Sequence, residues 1–131
     1  MREILLVRFG EVFLKGQNRP FFMKKLMNHI RDAVRPVEGR VWMSEGRFYV
    51  SDFTDMDECI RRVTRVFGVH SVSPAIEMEK DNFEAICEQA AKMMEPLSGT
   101  FKVLARRSDK RYPLDSPAIM REAGGYILEH V

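Results

Sequence analysis

Two spacings of apolar residues alternate along the chain, with turn residues between them. Residues 3–9, EILLVRF, form a short apolar run ended by Gly10, the pattern of a buried strand. The stretch from Glu11 to Arg19, with Gly16 and the turn residue Asn18, reads as a loop. Pro20 suits a first helical turn, and Met23, Leu26, Met27, Ile30, Ala33 and Val34 then recur at helical spacing until Pro36. From Arg40 to Ser51 the period changes to two. Val41 and Met43 alternate with Arg40 and Trp42, and Phe48 and Val50 alternate with Arg47 and Tyr49. Ser44-Glu45-Gly46 supplies the turn of a hairpin. One hairpin face is aliphatic and suits packing on helices; the other carries Trp42 and Tyr49 beside arginines.

Asp55, with Glu58 three residues on, predicts a capping box. The helix it opens has Met56, Cys59, Ile60, Val63, Val66 and Phe67 on its inner face and stops at Gly68. Val69–Met78 predicts a strand containing Pro74, which favours an edge position or a break and marks a domain junction. Asp81 is the expected cap of a third helix, with Phe83, Ile86, Cys87, Ala90, Ala91 and Met94 inward and Pro96 and Gly99 at its end. Phe101–Ala105 predicts another strand, a basic loop follows, and Ser116-Pro117 starts a last helix. The order β-α-β-β-α-β, then α-β-α, predicts an α+β fold: a ferredoxin-like unit over 1–74 and a partial α/β domain over 75–131. The pattern stops within a helix, as in a piece of a longer chain.

At 131 residues and 45% hydrophobic content the chain suits one domain or two small ones. Net charge is only +2, but its distribution is uneven. Lys and Arg outnumber Asp and Glu ten to six in residues 1–52 and six to four in 101–131, and are outnumbered nine to five between. Basic ends around an acidic middle suit a bipolar surface with one face for polyanions. Two cysteines do not make a disulfide scaffold, and no apolar run approaches a membrane span of about 20 residues. No secretory signal pattern precedes the first strand, so the cytoplasm is the expected compartment.

Three features carry candidate chemistry. Arg8-Phe9-Gly10-Glu11 with Lys15, Gly16, Gln17, Asn18 and Arg19 places cations between a strand and a helix start, where backbone N–H groups also attract phosphate. The same residues also suit a structural turn in which Glu11 pairs with Arg19 or Lys15. Trp42 and Tyr49 either stack unpaired bases or pack against the second domain. Lys102, Arg106, Arg107, Lys110 and Arg111 fall within ten residues, interrupted by Asp109 and followed by Tyr112. That is a footprint for phosphate, or a solvated charge run. Gly124-Gly125 inside a helix costs about 1 kcal/mol per glycine relative to alanine, which close packing would offset. Cys59 and Cys87 lie on apolar stripes as core residues, and His29, His70 and His130 lack ligand spacing. No phosphate loop, acid–base pair or nucleophile elbow is visible, so no catalytic or metal residue and no cofactor is assigned to this segment.

Taken in order, these pieces resemble the tRNA 4-thiouridine synthases (tRNA sulfurtransferases). RFGEVFLKGQNRPFF at 8–22 is similar to their N-terminal signature, and VFGVHSVSPA at 66–75 to the junction between their ferredoxin-like and THUMP domains. FKVLARRSDKRYP at 101–113 resembles the THUMP strand and basic loop, and AGGYILE at 123–129 the helix after it. Tyr112 stands where Phe is more usual, and Ala118 where an acid is common. The resemblance implies a parent enzyme that adenylates uridine 8 of tRNA with ATP and magnesium and then delivers persulfide sulfur. Its catalytic domain, with a phosphate-binding loop and a catalytic cysteine, has no counterpart here. It also implies a cysteine desulfurase as sulfur donor, a link to thiamine biosynthesis and a homodimer as a candidate assembly. The N-terminal region would grip the acceptor stem and 3′ end of tRNA. Arg106, Arg107, Lys110, Arg111 and Lys102 would meet phosphates, Tyr112 would order the loop or stack on a base, and Arg8, Lys15 and Arg19 would contribute from the first domain. Two alternatives remain open: the RNA-binding region of another THUMP-containing tRNA-modifying enzyme, and a ferredoxin-like assembly module that binds no RNA.

Overall fold

The computed structural model describes residues 2–10, 19–44, 46–97, 99–105 and 111–130. The chain divides into two compact units, Met1–Glu77 and Met78–Val131. In the first, the elements follow as β1 (Arg2–Phe9), α1 (Arg19–Val34), a 3-10 turn (Arg35–Val37), β2 (Arg40–Ser44), β3 (Arg47–Ser51), α2 (Met56–Thr64) and β4 (Val69–Glu77). The strands form one sheet in the order β2-β3-β1-β4, every neighbour antiparallel. This is the ferredoxin-like arrangement expected from the order of periods.

The core follows from the pleat. On β1, Leu5 and Val7 face inward and are almost fully buried, as are Phe48 and Val50 on β3. Against them α1 sets Met23, Leu26, Ile30 and Val34, and α2 sets Cys59 and Val63. The Phe9 ring meets Phe48 edge-on, with centroids 5.5 Å apart. Pro36 falls in the 3-10 turn that ends α1. Gly39 follows, and its amide donates to the Val34 carbonyl. A Cβ at Gly39 would lie 3.0 Å from Val34 Cβ and 3.1 Å from Val50 Cγ1, so only glycine passes this crossing without a shift.

Pro74 lies within β4, opposite Leu5, and β4 is an edge strand where a missing N–H is tolerated. Near the other end of β4, Arg8 faces Ser71 while Phe9 faces Val69, so His70 is left over as a bulge. Asp55 caps α2 through its carboxylate and the Glu58 amide, as expected. The Glu58 side chain does not complete the box. It pairs instead with Arg61 and with Arg62, the latter at 2.9 Å.

Two expectations for α2 need correction. The helix ends at Thr64, and Phe67 is 83% exposed rather than inward. Beyond Thr64 the Val66 amide bonds to the Val63 carbonyl in a tighter turn, so a period projected from the helix no longer applies. Gly68 then turns the chain at φ 102 into β4.

The second unit contains α3 (Phe83–Met94) and α4 (Ser116–His130). Asn82, not Asp81, caps α3, its side-chain oxygen accepting from the Ala85 amide. Asp115 does the same for α4 through the Ala118 amide, just ahead of Ser116-Pro117. Cys87 and Ala91 are the buried positions of α3, and Ala123 and Ile127 those of α4. Phe101–Ala105 was expected as a strand. It keeps the alternation of one, with Lys102 and Leu104 exposed between half-buried Phe101, Val103 and Ala105, but has no regular secondary structure. Strands are defined by ladders, and among the described residues this unit offers it no second strand. Gly124 sits beside the segment: a Cβ there would meet Val103 Cγ2 at 3.6 Å, an ordinary contact. A Cβ at Gly125 would meet nothing, so packing does not account for the second glycine among the described residues.

Candidate nucleic-acid interface

The main core cluster of the first unit lies on one side of its sheet. Its other face carries Arg2, Ile4, Leu6 and Arg8 on β1, with Trp42 on β2 and Tyr49 on β3, as the register dictates. Trp42 and Tyr49 are cross-strand partners whose rings stack at 5.5 Å and 20°. The Arg2 guanidinium lies 5.1 Å from the Trp42 ring centroid. It also holds Glu77 at 2.7 Å and stands 3.8 Å from Asp52. The Glu77 hydrogen bond raises the Arg2 pKa further, against a smaller opposing effect of desolvation. Arg2 is therefore neutralised by two acids and serves the sheet edge. Arg8 is different: exposed at the far end of β1, it donates to the Ser73 hydroxyl, and no carboxylate among the described residues pairs with it.

Arg19 is the first residue of α1 and is exposed, in the helix layer rather than on the sheet face that carries Trp42 and Tyr49. The two described arginines proposed for the first unit thus belong to different layers. In the second unit Lys102 projects from the extended segment, Arg111 is exposed, and Tyr112 is half-buried just before α4. Lys15, Arg106, Arg107 and Lys110 lie outside the described residues.

The two thiols are not poised for chemistry. Burial, helped by the Asp55 carboxylate, pushes Cys59 from its ordinary 9.0 to about 11. Burial also raises Cys87, with Glu122 and Glu84 adding to the effect. Thiols held protonated in this way are poor nucleophiles at neutral pH. Among the described residues no group of three His, Cys, Asp or Glu could hold a metal ion, and no helix is long and apolar enough to cross a membrane.

Sequence reasoning missed one feature. A groove of about 220 Å³ is lined by Phe22, Lys25, Leu26 and His29 of α1 with Phe67 and Gly68 after α2. Helical periodicity had placed Phe67 in the core. Only the early end of α2 turns it outward.

Comparison with known proteins joins these parts. The family model of the ThiI ferredoxin-like domain matches residues 4–73, and that of the THUMP domain matches residues 80–131. A probable tRNA sulfurtransferase of Acetivibrio thermocellus is 42% identical over 140 residues, covering all of this chain and 36% of that protein. One from Alkaliphilus metalliredigens is 44% identical, covering 99% of this chain and 35% of its own length. The chain thus spans about a third of the length of these relatives. Among solved structures, a crystal structure from Pyrococcus horikoshii Ot3 aligns with a TM-score of 0.80 at 36% identity, covering 97% of this chain and 44% of that one. A 4-thiouridine synthetase in complex with RNA and bound ATP aligns with a TM-score of 0.78 at 26% identity, over all of this chain and 34% of that one. With more than half of its length, residues 4–73, matched by that model, the chain belongs to the family of the ThiI ferredoxin-like domain.

Proposed function

We propose that this chain is the tRNA-binding region of a tRNA 4-thiouridine synthase, presenting the acceptor stem and 3′ end to a catalytic domain outside it. The observation that carries this reading is the likeness, along the whole chain, to a 4-thiouridine synthetase that holds RNA. In this reading the parent enzyme thiolates uridine 8 in the cytoplasm, with ATP and magnesium, taking sulfur from a cysteine desulfurase and working as a homodimer. Arg106, Arg107, Lys110, Arg111 and Lys102 neutralise phosphates in the second unit, Tyr112 orders their loop, and Arg8, Lys15 and Arg19 add charge from the first. Shape and a single-stranded end, rather than base edges of a duplex, supply the specificity.

The test is binding of the chain to intact tRNA, and to tRNA trimmed of its single-stranded 3′ end, across a salt series. Each phosphate contact contributes roughly 0.7–0.9 log units of affinity per decade of salt. Binding is expected to be salt-sensitive and to weaken on trimming. Arg107→Ala should weaken it by about 1 kcal/mol and lower the salt slope by about one contact. A slope unchanged by Arg107→Ala, or indifference to the 3′ end, contradicts the assignment.

A further inference from the structure

We infer that the groove between the start of α1 and the end of α2 is a second RNA contact, seating one unpaired nucleobase against Phe67 and Phe22 with its phosphate at Lys25. This deepens the tRNA-binding reading and rests on it. The groove residues on α1, Phe22, Lys25, Leu26 and His29, recur at helical spacing and form one stripe. Phe67 is 83% exposed and Phe22 40%, although aromatic rings gain most from leaving water. Phe21, 63% exposed, packs edge-on against Phe22, and the Lys25 ammonium lies 5.7 Å from the Phe21 ring centroid. The cavity, about 220 Å³, is smaller than the roughly 300–1,000 Å³ of sites for drug-sized ligands, and suits one planar ring system.

Charge decides between occupants. From Arg19 to Arg31 helix α1 carries Arg19, Lys24, Lys25 and Arg31 and no acid. The acid that follows, Asp32, is held by Arg35 at 2.9 Å. Arg65 stands two residues before Phe67, at the end of α2. No carboxylate among the described residues pairs with Arg19, Lys25 or Arg65. An apolar protein partner would cover these cations without neutralising them. A nucleotide brings a flat apolar face and a phosphate together, which is what aromatic rings beside a lysine accept.

The test compares tRNA affinity of the wild-type chain, Phe67→Ala, Phe67→Trp and Lys25→Ala across a salt series, with Leu128→Ala as an exposed apolar control. Stacking on one base makes Phe67→Ala bind about fivefold to a hundredfold more weakly, with an unchanged salt slope. Phe67→Trp retains binding, Lys25→Ala lowers the slope by roughly 0.7, and Leu128→Ala changes nothing. Wild-type binding matched by Phe67→Ala overturns this inference and leaves the broader reading standing. Absence of wild-type binding overturns both. Sedimentation of the wild type as a dimer, and of Phe67→Ala as a monomer with full tRNA affinity, would assign the groove to a second copy of the chain and also overturn the inference.

Discussion

In the first unit each strand finds a ladder partner and the sheet closes over a helix layer. In the second, the extended run Phe101–Ala105 keeps a strand's alternation without a ladder among the described residues. Among its described residues the first unit has eleven in one buried cluster, including the Phe48 ring. Among the described residues of the second, the buried ones are Cys87, Ala91, Ala123 and Ile127, small or medium in size. Stability should therefore concentrate in the first unit. In the second unit the described cation Lys102 is exposed on this extended segment. Less regular segments commonly carry binding residues, the role proposed for Lys102.

The largest effect that tests this contrast comes from Phe48→Ala, which empties the middle of the sheet core at about 3–5 kcal/mol. Trp42 is the sole tryptophan and lies in the first unit, so its fluorescence in urea reports that unit. The midpoint should fall steeply for Phe48→Ala. For Ile127→Ala in α4 it should stay in place while helical circular dichroism declines. Equal shifts for both variants would mean that the chain unfolds as one body, and would break the contrast.

Two glycines sharpen it with opposite signs. Gly39→Ala forces a Cβ against Val34 and Val50 and should cost about 1–3 kcal/mol. Gly125→Ala adds a methyl group in open space within α4 and should stabilise by about 0.5–1 kcal/mol. Thermal melts of the two variants check both signs. Destabilisation by Gly125→Ala would point to a close approach by residues outside the described set.

One effect is confined to alkaline pH. The buried Cys59 thiol keeps its proton to about pH 11, whereas the unfolded chain releases it near 9. Above pH 9 the unfolded state binds fewer protons, so stability falls with rising pH. The contribution is complete below pH 9 and lost as the pH climbs through 11. Cys59→Ala should remove that share of the slope in urea melts taken from pH 8 to 11. A slope unaffected by Cys59→Ala would contradict the burial of the thiol.

Much of the fold was legible because it rests on short-range rules. The shift from helical to alternating period between Val34 and Val41, the Asp55 cap and the proline at an edge position each follow from neighbours in sequence. What escaped depends on how elements end and on which strands meet. Phe67 lies four residues after Val63, so period alone puts it in the core; the tight turn after Thr64 turns it out. Asp81 and Asn82 both cap helices well, and the choice of Asn82 is set by where α3 begins. Phe101–Ala105 carries a strand's alternation, but a ladder needs a partner that alternation does not supply. Of the basic stretch proposed for the interface, Lys102 and Arg111 are exposed as a charged run suggests, while Arg106, Arg107 and Lys110 lie outside the described residues. The groove at Phe67 had no sequence signal, because its exposure is a consequence of the early helix end.

Amide hydrogen exchange of the chain, alone and with bound tRNA, tests the central claim most directly. In the free chain the amides of β1 and β3 should exchange slowest. Bound tRNA should slow residues 101–115 and the groove segments 19–29 and 65–68, and leave the β1 and β3 core unchanged. Protection by tRNA confined to α3, or none at any of these segments under conditions where tRNA is bound, would contradict the account.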